Sequence, residues 1–200
     1  MFVVFSALGL ENSQMAELYV IGSVSGGSDF DETSRLYCKW KCVVDKNNSN
    51  TDHPAHWMHV GGRVEGTTQQ ATLQYDRMLV WSHPIDIHYA FTSTVGWPRF
   101  YCEVWHVDDY DRHRLKGYGM CILPTTPGVH SVECVTWKPA KGAHQSIFEG
   151  LVPSRLEFAE GEDILLGQDK RQGQWGLTTG SVHLDINILC RGLNGKSLEL

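Results

Sequence analysis

Three histidines lie close together in one segment of the chain and could, by residue type, bind zinc. They are His53, His56 and His59, in the phrase HPAHWMH. A spacing of three would bring the imidazoles to one side of a helical turn, and imidazole nitrogen is a common zinc ligand. However, Pro54 follows the first histidine, the segment is flanked by a polar loop, and no cysteine is nearby. We therefore expect ordinary loop histidines here and no catalytic or structural zinc.

A group of carboxylates is the second candidate for chemistry. Asp108, Asp109 and Asp111 directly follow the phrase VWHV, and Asp29 and Asp31 lie in an earlier loop. This arrangement resembles a C2 domain, in which aspartates from two loops together bind calcium. Calcium takes about six to eight oxygen ligands, so the two loops would have to meet. The resemblance implies a ligand set of Asp29, Asp31, Asp108 and Asp111.

His106 weakens this calcium hypothesis. It stands where the strand of a calcium-binding C2 domain usually supplies its first aspartate, and imidazole is a poor ligand for a hard cation. We therefore expect solvated loop carboxylates, and we keep a calcium-dependent phospholipid-binding module as the alternative function.

Motifs of common enzymes are absent from the sequence. It contains no G-x-S-x-G elbow, no H-E-x-x-H helix and no G-x-x-x-x-G-K-[ST] phosphate loop. The net charge of −6 argues against a general nucleic-acid binder, because such proteins usually carry a basic surface. We expect a protein that is not an enzyme, has no cofactor and no metal, and binds neither nucleic acid nor a small-molecule substrate.

The elements that position these residues are predicted to be strands, because period-two alternation and short apolar runs dominate. The predicted strands are Leu18–Val24, Leu36–Val44, two pieces within Met78–Phe91, Phe100–Val107, Gly117–Leu123, Val129–Trp137 and Ser181–Leu189. Residues 45–68 are predicted to be one long surface or disordered connection. About eight strands at short spacing favour an all-β antiparallel sandwich. The less regular stretch from Ala143 to Leu166 is expected to hold at most one short helix before the last strand.

The surroundings of several residues can also be predicted. Both alternating sets in Phe100–Val107 contain apolar side chains, which predicts a strand with little open solvent on either face. Pro84 lacks an N–H for a ladder hydrogen bond, so we expect it at an edge, a bulge or a bend. The six cysteines are expected to be reduced and buried, with Cys38 and Cys42 on one face of their strand.

The chain length suits one domain with short flanking segments. We expect an N-terminal extension at residues 1–14, a domain at 15–191 and a C-terminal tail at 192–200. The apolar start MFVVFSALGL has no preceding positive charge and is too short to span a bilayer, so no signal peptide is expected. These features predict a cytoplasmic protein.

The segment from Leu79 to Gly119 carries the most specific pattern. The pattern consists of large aromatic, glycine and proline residues in a fixed order: Trp81, Pro84, Gly96, Trp97, Pro98, Gly117, Tyr118 and Gly119. We expect the aromatic residues to fill the core while Gly and Pro set corners. The alternative is that some aromatic side chains reach the surface and anchor a protein partner.

The same segment resembles a known family. WSHPID, GWPR, VW and GYG, with MAELYVIG and LYCKW upstream, are similar to the B9 domain over about residues 16–137 and more weakly over 182–191. The resemblance implies a C2-like β-sandwich without catalytic residues. It also implies assembly with sister B9 proteins and other components of the Meckel–Gruber syndrome module. That module lies at the cilium base, near the basal body and the membrane, and gates the entry of membrane proteins.

Overall fold

The structure is a computed structural model, and it describes residues 15–31, 35–44, 56–72, 77–139 and 176–192. These residues contain nine strands. They are β1 (Ala16–Ser28), β2 (Leu36–Val43), β3 (Trp57–Gly62), β4 (Glu65–Thr67), β5 (Met78–Phe91), β6 (Arg99–Val107), β7 (His113–Ile122), β8 (Gly128–Pro139) and β9 (Gly176–Arg191). The all-β prediction is confirmed. The short helix expected between residues 143 and 166 lies outside these ranges. Within them, no helix is long and apolar enough to cross a membrane.

The strands form one antiparallel sheet in the order β3-β5-β1-β9-β8-β7-β6-β2-β4. The ladder between β7 and β8 has two residue pairs, whereas β8 and β9 pair along most of their length. The sheet curls, and its two halves face each other across a core. Trp81 of β5 donates its indole N–H to the carbonyl of Leu36 in β2 at 3.3 Å. This arrangement is consistent with the C2-like sandwich that the sequence predicted.

Alternating apolar side chains fill the space between the two halves. In β1, Leu18, Val20 and Val24 are buried while the residues between them face outward. The last strand alternates in the same way, with Leu184 and Ile186 inward. Each such side chain contributes roughly 1.5–3 kcal/mol to stability when it is fully buried. Period-two patterning therefore positions the outer faces as well as the core.

Residues 45–68 contain more regular structure than predicted. The segment includes β3 and β4, so the prediction of one long structureless connection was wrong for these residues. Trp57 explains why β3 forms. Its ring stacks on Phe91 with centroids 4.5 Å apart, and its indole N–H donates to the carbonyl of Val95 at 2.8 Å. A large buried side chain on an otherwise exposed strand is enough to dock β3 onto β5.

Met78–Phe91 is one strand and not the two pieces that were predicted. A bulge lies just before Pro84, where Trp81 and Ser82 both stand opposite Ser25 of β1. Ser82 has a positive φ of 47°, and the register with β1 shifts between Val24 and Gly26. Pro84 is exposed and pairs with Ser23. Because β5 continues through the bulge, the missing N–H of Pro84 does not end the strand.

Candidate interaction surface

The acidic loop after β6 is organised by Asp108. Its Oδ1 accepts hydrogen bonds from the backbone N–H groups of Tyr110 and Arg112, both at 2.9 Å. Its Oδ2 accepts the Nε–H of Arg112 at 2.7 Å. Partial burial acts to raise the pKa of Asp108, but the hydrogen bonds from Arg112 and Tyr110 outweigh it and lower the pKa to about 2. The carboxylate is therefore ionised and committed to folding its own loop.

Arginine side chains surround the same loop. Arg35 donates to the backbone carbonyl of Asp108 at 2.8 Å and to Oδ1 of Asp111 at 3.3 Å. Arg114 lies 3.9 Å from Oδ2 of Asp108. Guanidinium groups at these positions compete with a divalent cation for the carboxylate oxygens and repel it. The carboxylates of Asp108 and Asp111 therefore form ion pairs within the chain.

The earlier loop contributes two exposed carboxylates. Asp29 has a positive φ of 60° and accepts a hydrogen bond from the hydroxyl of Ser28 at 3.2 Å, while Asp31 faces solvent. His106, the residue that weakened the calcium hypothesis, is 7% exposed. Among the residues that the structure describes, no three histidine, cysteine or acidic side chains are grouped so that they could hold a metal ion. Calcium binding by Asp29, Asp31, Asp108 and Asp111 stays a hypothesis to be tested.

The described part of the histidine-rich segment, from His56 onward, is extended and not helical. His59 lies in β3 with its ring 5.9 Å from that of Tyr89, and Nδ1 of His56 is 3.3 Å from the hydroxyl of Thr92. His53 lies outside the described residues. Side chains three positions apart in an extended strand point to opposite faces. The one-turn helical arrangement considered for these histidines is therefore wrong for His56 and His59.

Two of the tryptophans in the family pattern are core residues. Trp81 is fully buried, and Trp97 is 7% exposed. The indole N–H of Trp97 donates to the carbonyl of Leu123 at 3.0 Å, and the N–H of Leu123 donates to the carbonyl of Pro98 at 3.1 Å. Gly96 has a positive φ of 78° in the turn before them. These residues hold the β5–β6 connection against the core and do not reach a partner.

Gly117 and Gly119 do not set corners, because both lie within β7. A Cβ at Gly117 would come 2.3 Å from the hydroxyl of Thr179. One at Gly119 would come 2.7 Å from Sγ of Cys102 and 3.0 Å from Sγ of Cys134. The glycines therefore let side chains of neighbouring strands pack over β7. No local pattern indicates this role, since the crowding residues are far away in the chain.

The cysteines are free thiols, as predicted, but the prediction of burial was wrong for Cys121 and Cys190, which are only partly buried. Sγ of Cys102 lies 3.9 Å from Sγ of Cys134. Burial is the main cause that raises the pKa of Cys42, which reaches about 12. A thiol that stays protonated is a poor nucleophile. Cys38 and Cys42 both point into the core. These cysteines act as packing residues.

The outer face of β2, β6 and β7 carries a second apolar cluster. It is centred on Tyr101 and Tyr118, which are 7% and 2% exposed, and includes Trp137 as a partly buried member. The carboxylate of Glu103 accepts the hydroxyl of Tyr101 at 2.5 Å and the indole N–H of Trp105 at 2.9 Å. The prediction that β6 is covered on both faces is confirmed.

A cleft of about 390 Å³ opens beside this cluster. Its outward-facing lining consists of Lys39, Lys41, Glu65, Thr67, Tyr101 and Glu103. The ammonium group of Lys39 lies over the ring of Trp105, 4.7 Å from its centroid. The cleft is open and mixed in charge, and Tyr101 and Trp105 beside it are both held by the carboxylate of Glu103.

Comparison with known proteins decides the family. The family model described as "Ciliary basal body-associated, B9 protein" matches residues 18–189. This chain belongs to the B9 family. The B9 match spans every strand from β1 to β9, and it confirms the resemblance seen in WSHPID, GWPR and GYG.

Several B9 proteins are similar to the chain along its length. B9 domain-containing protein 2 of Homo sapiens is 36% identical over 185 residues, which cover 92% of this chain and 99% of the human protein. The protein of the same name in Drosophila melanogaster is 31% identical over 186 residues, with the same coverage. Tectonic-like complex member MKS1 of Homo sapiens is 29% identical over 153 residues, 68% of this chain and 27% of that protein.

Proposed function

We propose that this B9 domain is a non-catalytic structural subunit of the ciliary transition zone. It would act within a tectonic-like complex, the Meckel–Gruber syndrome module, in cilium assembly and in gating the entry of membrane proteins. The observation that carries the proposal is the full-length similarity to B9 domain-containing protein 2, together with the similarity to a relative whose name places it in a tectonic-like complex.

The geometry supports a binding role over chemistry. The aspartates of the β6–β7 loop are held by arginines, the Cys42 thiol is buried with a raised pKa, and the signature tryptophans are core residues. What the sandwich offers to other molecules is the exposed outer surface of its strands, with apolar side chains such as Ile21 and Val129 in solvent. We propose that its partners are sister B9-domain proteins and other transition-zone components. Its place would be the cytoplasm at the cilium base and basal body, close to the membrane.

Co-expression with the sister B9 proteins of the same organism tests this function. We expect the full chain to co-purify with at least one of them in a fixed ratio, and a fluorescently tagged chain to concentrate at the cilium base. A C2 domain from an unrelated protein serves as the negative control. Failure to associate with any sister protein, or tagged protein spread evenly through the cytoplasm, would contradict the proposal.

A further inference from the structure

The outer face of β5, β1, β9 and β8 has an apolar centre that faces solvent. We name this surface the acidic face and define it by Glu17, Tyr19, Ile21, Asp86, Val129, Glu133, Asp185 and Leu189. Ile21, Leu189 and Val129 are 43%, 45% and 82% exposed. Tyr19 pairs with Leu189, and Leu189 lies diagonally from both Ile21 and Val129, which flank Asn187 on opposite sides. Side chains at such paired and diagonal positions touch or nearly touch.

Carboxylates surround this apolar centre. Asp86 is paired with Ile21, Asp185 with Ser131, and Glu133 with His183. None of these three carboxylates makes an ion pair with any residue in the described ranges. Glu17, the fourth, is already partnered, because its Oε2 accepts the hydroxyl of Tyr19 at 2.9 Å and lies 4.0 Å from Nε2 of His88. The acidic face therefore presents three negative charges that no described residue neutralises.

The outer face of β2, β6 and β7 differs from the acidic face in how its charged groups are paired. There the carboxylate of Glu103 accepts from Tyr101 and Trp105, and the ammonium of Lys39 lies over the Trp105 ring. The polar groups of Tyr101, Glu103 and Trp105 are therefore partnered within the chain. An apolar centre with an unpaired charged rim is the usual anatomy of a surface that binds another protein. Of the two outer faces, the acidic face fits that description.

We propose that the acidic face docks a partner protein that presents an apolar surface ringed by lysine or arginine. The partner would cover Ile21, Leu189 and Val129 and pair with the carboxylates of Asp86 and Asp185. An anionic membrane would be repelled by these carboxylates. A second copy of the chain would be repelled as well, because each copy has a net charge of −6. The inference rests on the proposed function, which supplies sister B9 proteins as the partners to try.

Two single variants of the full chain test the face, each with a matched control on the other outer face. Ile21→Asp places a charge in the apolar centre, and Ile122→Asp does the same at an exposed isoleucine of β7. Asp185→Lys reverses a rim charge, and Glu65→Lys reverses an exposed carboxylate of β4. We expect the Kd for a sister B9 protein to rise about tenfold or more in each face variant and to stay within about twofold in each control. Urea unfolding midpoints establish that all four variants fold.

A second probe separates this inference from the proposed function. A synthetic peptide of alternating lysine and leucine offers a basic, apolar strand without any B9 sequence. We expect the wild-type chain to bind it, more weakly as salt rises, and both face variants to lose that binding. Loss confined to the face variants in either assay supports the docking face. If the sister proteins do not associate but the peptide binds in this way, the proposed function fails and the docking face stands.

Three results would overturn the docking inference. One is equal binding by the wild type, the face variants and the controls in both assays. Another is a homodimer in light scattering that disappears with Ile21→Asp, since it would assign the face to a second copy. The third is pelleting with phosphatidylserine-containing vesicles that is lost with Ile21→Asp, since it would assign the face to a membrane.

Discussion

Gly119 shows what a single residue does in this sandwich. It lies in the middle of β7, between the thiols of Cys102 on β6 and Cys134 on β8. With no side chain at this position, the two sulfur atoms meet over the strand at 3.9 Å. The glycine is therefore required by packing and not by backbone conformation, because its φ is not in the left-handed region.

Replacing Gly119 with alanine should overpack the core. The added Cβ would lie 2.7 Å from one buried sulfur and 3.0 Å from another, so we expect a loss of about 1–3 kcal/mol in the free energy of unfolding, measured with urea. Gly61→Ala is the matched control, because nothing lies within 4 Å of a Cβ there, and it should change stability by less than about 0.5 kcal/mol. Equal effects of the two substitutions would contradict this account.

At the residue scale, prediction from sequence succeeded where the chemistry is local. Trp81 and Trp97 were expected in the core because large aromatic side chains in strands are seldom left in water. The packing role of Gly117 and Gly119 was not predicted. Their role depends on Thr179, Cys102 and Cys134, which reach them through the sheet topology, and no local pattern reveals that contact.

At the scale of elements, β3 illustrates how one anchor can define a strand. Trp57 lies among Tyr89, Phe91 and Trp97, with ring centroids 6.0, 4.5 and 5.4 Å from its own. The rest of the strand is mostly exposed. The sequence predicted a connection here because the segment is rich in His, Asn and Gly and has no clear alternation. One buried aromatic residue outweighed that weak local preference.

Trp57→Ala should therefore release β3 from β5. We expect a loss of about 3–5 kcal/mol in the free energy of unfolding, together with faster hydrogen exchange of the amides between Trp57 and Gly62. The neighbouring Met58 is 41% exposed, and Met58→Ala should change stability by less than about 0.5 kcal/mol. If Trp57→Ala left both stability and exchange unchanged, Trp57 would not be the anchor of β3.

At the scale of the whole molecule, the sandwich presents two unlike outer faces and a loop whose charges are already paired. The alternating pattern of the strands predicted the fold class and which side chains face outward. It could not predict that Arg35 would reach Asp108 and Asp111, because this requires β2 to be paired with β6. The C2-like arrangement of aspartates therefore carries different contacts from those a calcium site needs.

We expect membrane association to be independent of calcium. Because Arg112 occupies the oxygens of Asp108 and Arg35 contacts Asp111, calcium would have to displace existing charge-assisted hydrogen bonds. Sedimentation with phosphatidylcholine–phosphatidylserine vesicles should give the same pelleted fraction with calcium and with a chelator.

The opposite result would be vesicle binding that depends on calcium. Pelleting that requires calcium, is lost when Asp29, Asp31, Asp108 and Asp111 are all changed to Asn, and is kept in Asp86→Asn would establish the calcium-dependent lipid-binding function instead. Asp86 is the control because it is an exposed carboxylate on a strand far from these loops in sequence.

The pairing of β1 with β9 has a mechanical consequence. Glu17 near the start of β1 pairs with Arg191 at the end of β9, so the first and last strands meet at the same end of their antiparallel ladder. Tension applied between those two residues would break the hydrogen bonds of the ladder one after another. It would not load all of them at once in shear. This geometry predicts little resistance to tension between the start of β1 and the end of β9. A partner bound at an outer face would not load the ladder in this way.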